Sequence, residues 1–161
     1  GQCNGNTLSN CNISNSGGTG IGLAGTVSSG QCNGNTLSNC NISSSGSEGI
    51  SLSGSNGQCN GNHLVNNTVR GAGGIGIYLS RSHSNRVDGN HVSGVTSSST
   101  SLGIYLFTNT GDRNLVVRNS CSGQDDNFLF DSDDSNGPEV TTSGALATTG
   151  AAAHPWANFS H

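Results

Sequence analysis

The 161-residue chain contains no lysine and no methionine. Its five basic residues are Arg70, Arg81, Arg86, Arg113 and Arg118, they form no run, and the formal net charge is −4. Nucleic-acid binding driven by phosphate neutralisation needs clustered positive charge, so that class is excluded. Apolar runs are also missing: none approaches the ~20 residues of a membrane span. Charged residues make up 9% of the chain, far below the ~25% of ordinary globular domains. Hydrophobic residues make up 30%, against a usual ~45–50%. A large, conventional hydrophobic core is therefore out of reach. Gly, Ser, Asn and Thr fill the gap. Disordered chains share that poverty, but they combine it with high net charge and little pattern. This chain is nearly uncharged and strongly patterned.

The pattern is a repeat. The phrase GQCNGNTLSNCNIS occupies residues 1–14 and returns letter for letter at 30–43, and its first six letters return at 57–62. Aligning on Asn-x-(Leu/Val) gives five turns, beginning at Asn6, Asn35, Asn62, Asn85 and Asn114, so spaced 29, 27, 23 and 29 residues apart. Four apolar columns follow: Leu8, Leu37, Leu64, Val87, Val116; then Ile13, Ile42, Val69, Val92, Cys121; then Ile21, Ile50, Ile77, Ile104, Phe128; then Leu23, Leu52, Leu79, Leu106, Phe130. The last two columns stand two residues apart, which is the strand period.

Between the first two columns lies a polar one: Cys11, Cys40, Asn67, Asn90, Asn119. Residues at one position of successive turns stack one strand spacing apart, about 4.8 Å. Stacked asparagines can hydrogen-bond along the stack, and asparagine tolerates the left-handed backbone of a sharp corner. Each turn is thus one rung of a β-solenoid: short parallel strands, a thin core, and corners of Asn, Gly and Ser. A rung cannot bury its own apolar residues, so stacking supplies the core. The expected fold is all-β, a right-handed parallel β-helix of about five rungs over residues 1–144, with an irregular segment at 145–161 that either caps the solenoid or docks elsewhere. Turns of this length fit the right-handed form better than the hexapeptide left-handed one.

The phrases GNTLSNCNIS, GNHLVNNTV, NRVDGNHVSG and GIGIYLS resemble the right-handed parallel β-helix repeat of pectate-lyase-like proteins and their non-enzymatic relatives. RNLVVRNSCSGQDDNFLF, followed by GPEV and HPWANFSH, looks like the C-terminal signature of secreted bacterial β-helix-repeat proteins. The resemblance implies a fold and not an activity, because such scaffolds host lyases, hydrolases, adhesins and inert spacers. Members usually begin with a capping segment. A chain opening on Gly1 is expected to be trimmed or to stack on something else.

Lyases of this fold combine calcium-binding carboxylates with a basic residue, and the hydrolases use clustered aspartates. Here the first two rungs hold one carboxylate, Glu48; Asp88 is isolated and Asp112 sits in a turn. The one acidic cluster, Asp125, Asp126, Asp131, Asp133 and Asp134, with Glu139 near it, offers hard oxygen ligands for Ca²⁺, without the distal Glu of an EF-hand. The expectation is no cofactor, with calcium as the one candidate. The histidines, His63, His83, His91, His154 and His161, fall in different columns and form no vertical pair.

Tyr78 and Tyr105 share an outward column and form a candidate sugar-contact face. Asn12, Asn41, Asn66 and Asn158 each start an N-x-S/T sequon, a candidate glycan attachment point. Six cysteines in so small a chain favour an oxidising compartment. Cys3, Cys32 and Cys59 form one column and Cys11 and Cys40 another, and the Cα separation across a rung suits a disulfide, so Cys3–Cys32 and Cys11–Cys40 are the candidate bonds. Open solenoid ends carry unpaired strand edges. The expectation is a secreted, non-catalytic structural solenoid at the cell surface or outside it, self-associating head to tail into a filament or layer. The alternative is a β-helix that binds or processes a polysaccharide.

Overall fold

The computed structural model describes residues 2–25, 30–54, 58–97, 99–107, 113–130, 134–141 and 149–161. It is a β-solenoid of five three-stranded rungs. The first rung comprises β1 (Thr7–Ser9), β2 (Asn12–Ser14) and β3 (Ile21–Ala24); the second β4 (Thr36–Ser38), β5 (Asn41–Ser43) and β6 (Ile50–Ser53). The third comprises β7 (His63–Val65), β8 (Thr68–Arg70) and β9 (Ile75–Ser80); the fourth β10 (Arg86–Asp88), β11 (His91–Ser93) and β12 (Leu102–Phe107); the fifth β13 (Leu115–Val117), β14 (Ser120–Ser122) and β15 (Asp126–Leu129). Three short strands close the C-terminal end: β16 (Ser135–Asn136), β17 (Glu139–Thr141) and β18 (Asn158–Ser160).

All pairing is parallel, and it builds three sheets: β1-β4-β7-β10-β13-β16, β2-β5-β8-β11-β14-β18-β17, and β3-β6-β9-β12-β15. The register stacks the predicted columns, with Leu8 on Leu37, Leu37 on Leu64, Val87 on Val116, and Ile13 on Ile42. Leu37, Ile42, Ile50, Leu52, Leu64, Val69, Ile77, Leu79, Val87, Val92 and Ile104 are all at most 1% exposed. A fully buried aliphatic side chain contributes roughly 1.5–3 kcal/mol, so these thin columns supply the bulk of the cohesion. Leu8, in the first rung, is 36% exposed.

Two kinds of asparagine make the corners. Asn10, Asn39 and Asn66 adopt φ near +54°, and Gly89 takes the same place at φ 67° one rung later. The next residue points inward. Asn67 donates from Nδ2 to Asn90 Oδ1, Asn90 to Asn119 Oδ1 and Asn119 to Asn158 Oδ1, at 3.0, 3.0 and 3.1 Å. The same Nδ2 atoms reach back to Leu37, Leu64 and Val87 carbonyls of the preceding rung. A second ladder runs Asn6–Asn35–Asn62–Asn85–Asn114 at 3.0 Å per step and ends on Asp134. The asparagine that opens each repeat is thus a structural amide, exposed at Asn6 and buried at Asn35, Asn62, Asn85 and Asn114.

The cysteines correct one expectation. All six are free thiols; neither Cys3–Cys32 nor Cys11–Cys40 is bonded. In-register parallel strands hold the two Cβ atoms a full strand spacing apart, about 4.8 Å. That exceeds the ~3.5–4.5 Å between Cβ atoms that a disulfide requires, although the Cα separation is permissive. The thiols act as substitutes within the ladders. Cys40 Sγ donates to Leu8 O at 3.7 Å, the bond Asn67 makes to Leu37 O. Cys32 and Cys59 accept from Asn35 and Asn62, each at 3.6 Å. Burial pushes the Cys32 thiol up to about 11 and that of Cys59 up to about 12, and it raises Cys121 further.

The C-terminal segment caps its own solenoid. β18 inserts between β14 and β17, pairing Ser120 with Phe159 and Val140 with Phe159. Asn158 thereby becomes the last rung of its ladder, 0% exposed.

Candidate functional site

The sheet β3-β6-β9-β12-β15 carries the most distinctive surface. Its inner side is tight because Gly49, Gly76 and Gly103 each precede an Ile of the core column. A Cβ on Gly76 would sit 2.6 Å from Gly103 O and collide with Val92, and one on Gly49 would sit 2.7 Å from Gly76 O. The signal was present in the sequence as an unvarying Gly before Ile50, Ile77 and Ile104, and the column reading passed over it. Close approach on the inside keeps this sheet's strands aligned, so its outer side chains form straight columns.

One outer column runs Gly22, Ser51, Tyr78, Tyr105, Leu129. Its neighbour runs Ala24, Ser53, Ser80, Phe107. The surface therefore changes from small and polar at the first rungs to aromatic at the last. Tyr78 and Tyr105 stack with ring centroids 5.5 Å apart and planes 30° apart, as their shared column predicts. Phe107 extends the strip, 6.0 Å from Tyr105. Phe107 and Leu129 are 46% and 40% exposed. Tyr105, Leu106, Phe107, Leu129 and Phe130 line an open concavity of about 270 Å³. The sequence reading found the two tyrosines; Phe107 and Leu129 it did not include.

On the first sheet, Asp88 is not isolated. Its side chain is 4% exposed and lies between two guanidinium groups. Arg86 donates from Nε and Nη2 to Oδ2 at 2.9 and 2.7 Å. Arg118 donates from Nε to Oδ1 at 2.7 Å and from Nη2 to Oδ2. Burial alone would raise the Asp88 carboxyl, but the hydrogen bonds and charges of Arg118 and Arg86 overcome it and hold the group below the usual range. Arg118 occupies the left-handed corner position at φ 57°, where earlier rungs place Asn or Gly, and no periodicity argument anticipates it.

The acidic cluster is divided among separate tasks. Asp131 and Asp133, like Asp112, lie outside the described residues. Asp125 accepts from the Ser101 amide and hydroxyl at 2.8 and 3.0 Å, which lowers its carboxyl. Asp134 accepts from Asn114 N and Nδ2, both at 3.0 Å, ending a ladder. Asp126 is exposed on β15. Glu48 accepts from Thr19 and Ser47 hydroxyls at 2.7 and 2.8 Å. Among the described residues, no group of three His, Cys, Asp or Glu is placed to hold a metal ion.

Of the sequons, Asn12, Asn41 and Asn66 are exposed. Asn158 is corrected: its Nδ2, the atom a glycan would take, donates to Val116 O and Gly137 O inside the cap at 3.1 and 3.2 Å. His91 Nδ1 lies 2.8 Å from Ser120 Oγ. Among the described residues, no helix is long and apolar enough to cross a membrane.

The family described as the right-handed beta helix region matches residues 1–157. No curated protein and no solved structure gives a match.

Proposed function

The chain belongs to the right-handed β-helix family, and from that premise we propose that it is a secreted, non-catalytic structural solenoid that stacks through its first rung. The observation that carries this reading is the unguarded chemistry of β1, β2 and β3, whose edge away from β4, β5 and β6 could take a further strand. Natural sheets guard such edges with charge, proline or bulges. Here residues 1–47 include no Asp, Glu, Lys, Arg or Pro, and Leu8 stands 36% exposed. A second copy, or further rungs of a longer chain, would meet the same edge with the same chemistry. The carboxylates support the non-catalytic part, because Glu48, Asp88, Asp125 and Asp134 each serve a hydrogen-bonded structural contact. With no disulfide present, the extracellular assignment rests on the resemblance and on the uncharged, Asn/Ser/Thr-rich surface.

Light scattering on the purified 161-residue chain across a concentration series tests it. Association that disappears in Leu8→Arg, with folding retained by circular dichroism, is the expected result. A monomer at every concentration would sink the proposal.

The strip of Tyr78, Tyr105 and Phe107 favours a second reading, in which the same scaffold contacts a carbohydrate through aromatic rings beside an open concavity. Titration with neutral oligosaccharides should then give saturable binding that Tyr105→Ala removes, and its absence across a glycan panel would leave the strip as cross-strand packing.

A further inference from the structure

We infer that the corner holding Arg86, Asp88 and Arg118 binds an oxyanion of the carboxylate or sulfate class. The outer column containing Asp88 reads Ser9, Ser38, Val65, Asp88, Val117. Serine and valine satisfy the fold at every other rung, so the solenoid has no need of a charge there. A single arginine would neutralise one buried carboxylate. Two are present, which leaves a net charge of +1 at this corner in a molecule of net charge −4.

The geometry is that of a prepared receptor. Asp88 is nearly enclosed, while the side chains of Arg86 and Arg118 are 41% and 52% exposed. Asp88 engages Nε and Nη2 of both arginines. Among the described residues, Nη1 of neither arginine makes a hydrogen bond, so those donors remain for a ligand. A guanidinium held by one edge keeps its planar fork pre-organised for a second oxyanion, and less entropy is lost on binding than with a free side chain. Two further groups border the corner. His63 stands beside Arg86 in the adjoining outer column. The carbonyl of Trp156, a residue 56% exposed, accepts the Arg118 amide at 3.4 Å. Asp88 is the positioning residue and the arginines are the binding residues.

The test is a titration of isotope-labelled protein followed by ¹H–¹⁵N spectra of backbone amides, arginine Nε groups and the Trp156 indole. The probes are sodium sulfate and sodium glucuronate, each against sodium chloride at matched ionic strength. Saturable shifts centred on Arg86 and Arg118 with either probe are expected. Arg118→Lys keeps the charge and loses the fork, and should bind about tenfold more weakly, the effect of losing one charge-assisted hydrogen bond. Arg86→Lys should do the same and serves if Arg118→Lys does not fold. Shifts that grow linearly and match those in chloride would overturn the inference, as would a lysine variant that binds like the original.

Discussion

Replacing Asn90 by alanine isolates what a ladder contributes. Asn90 sits in the fourth rung, 1% exposed. Its Oδ1 accepts from Asn67 N at 2.9 Å and Asn67 Nδ2 at 3.0 Å, and its Nδ2 donates to Leu64 O at 2.9 Å and Asn119 Oδ1 at 3.0 Å. Alanine removes all four bonds and changes no charge. Asn67 N–H is then buried without a partner, at about 1–3 kcal/mol, and three further bonds at ~0.5–1.5 kcal/mol each bring the loss to about 3–7 kcal/mol. That is a large share of the ~5–15 kcal/mol that stabilises a typical domain. The control is Asn12→Ala, an exposed residue of the same type on β2, which should change stability by less than about 0.5 kcal/mol. Urea denaturation of both variants gives the comparison, and native-state hydrogen exchange should show the third to fifth rungs opening together in Asn90→Ala. If the two variants differed by under about 1 kcal/mol, the ladder would be ornamental and the thin apolar columns would hold the solenoid alone.

Gly76→Ala should cost about 3 kcal/mol or more, because the added methyl meets the buried Val92 side chain and, behind it, the Gly103 carbonyl of the next rung; Gly17→Ala, with open space around it, should be neutral, and equal melting temperatures would refute the close-approach account. Thiol labelling at pH 8 should modify Cys3 in the native protein and spare Cys59 and Cys121 until denaturant is added, when all six react; a reductant-induced fall in melting temperature would instead reveal a disulfide. The depressed Asp88 carboxyl fixes a sign. Its stabilising contribution is complete above the unfolded value, near pH 3.9, and is lost as pH falls through the lower folded value. Asp88→Asn should therefore flatten the acid limb of stability against pH, and an unchanged limb would refute the ion-pair role.

The columns were legible because they are one-dimensional information. Leu8, Leu37, Leu64, Val87 and Val116 share a position in every turn, and parallel register turns shared position into contact. The same logic exposed the Asn67–Asn90–Asn119 ladder and the Tyr78–Tyr105 stack. What stayed hidden depends on direction or distance within a rung. Cα spacing admits a Cys11–Cys40 disulfide, whereas parallel Cβ vectors forbid it. Asp88 looks isolated because Arg118 reaches it from the next rung, 30 residues on, through a left-handed corner that repeat averaging assigns to Asn or Gly. Asn158 matches a glycosylation sequon, yet only the insertion of β18 beside β14 shows that its amide is consumed.

The ladders also give the solenoid a direction, and that direction bears on the proposed assembly. In every step an Nδ2 of one rung donates to the Oδ1 of the rung after it. The C-terminal end must therefore dispose of donors, and it does so twice. Asp134 accepts the last donors of one ladder and has no amide hydrogens to pass on. Asn158 turns its Nδ2 onto Gly137 O within the cap. Neither ladder offers a donor to a further rung. The first rung is the opposite case: among the described residues Asn6 Oδ1 accepts no hydrogen bond, beside exposed Leu8 and Cys3. Head-to-tail growth would have to join this acceptor face to an end that has already closed its ladders. Two first rungs meeting across a twofold axis would close after one step, since an isologous contact does not propagate, but they would set acceptor against acceptor along this ladder, so strand edges and Leu8 would have to hold such a pair. Light scattering distinguishes the two modes of the proposed stacking: a dimer ceiling marks the twofold pair, and continued growth with concentration marks head-to-tail assembly.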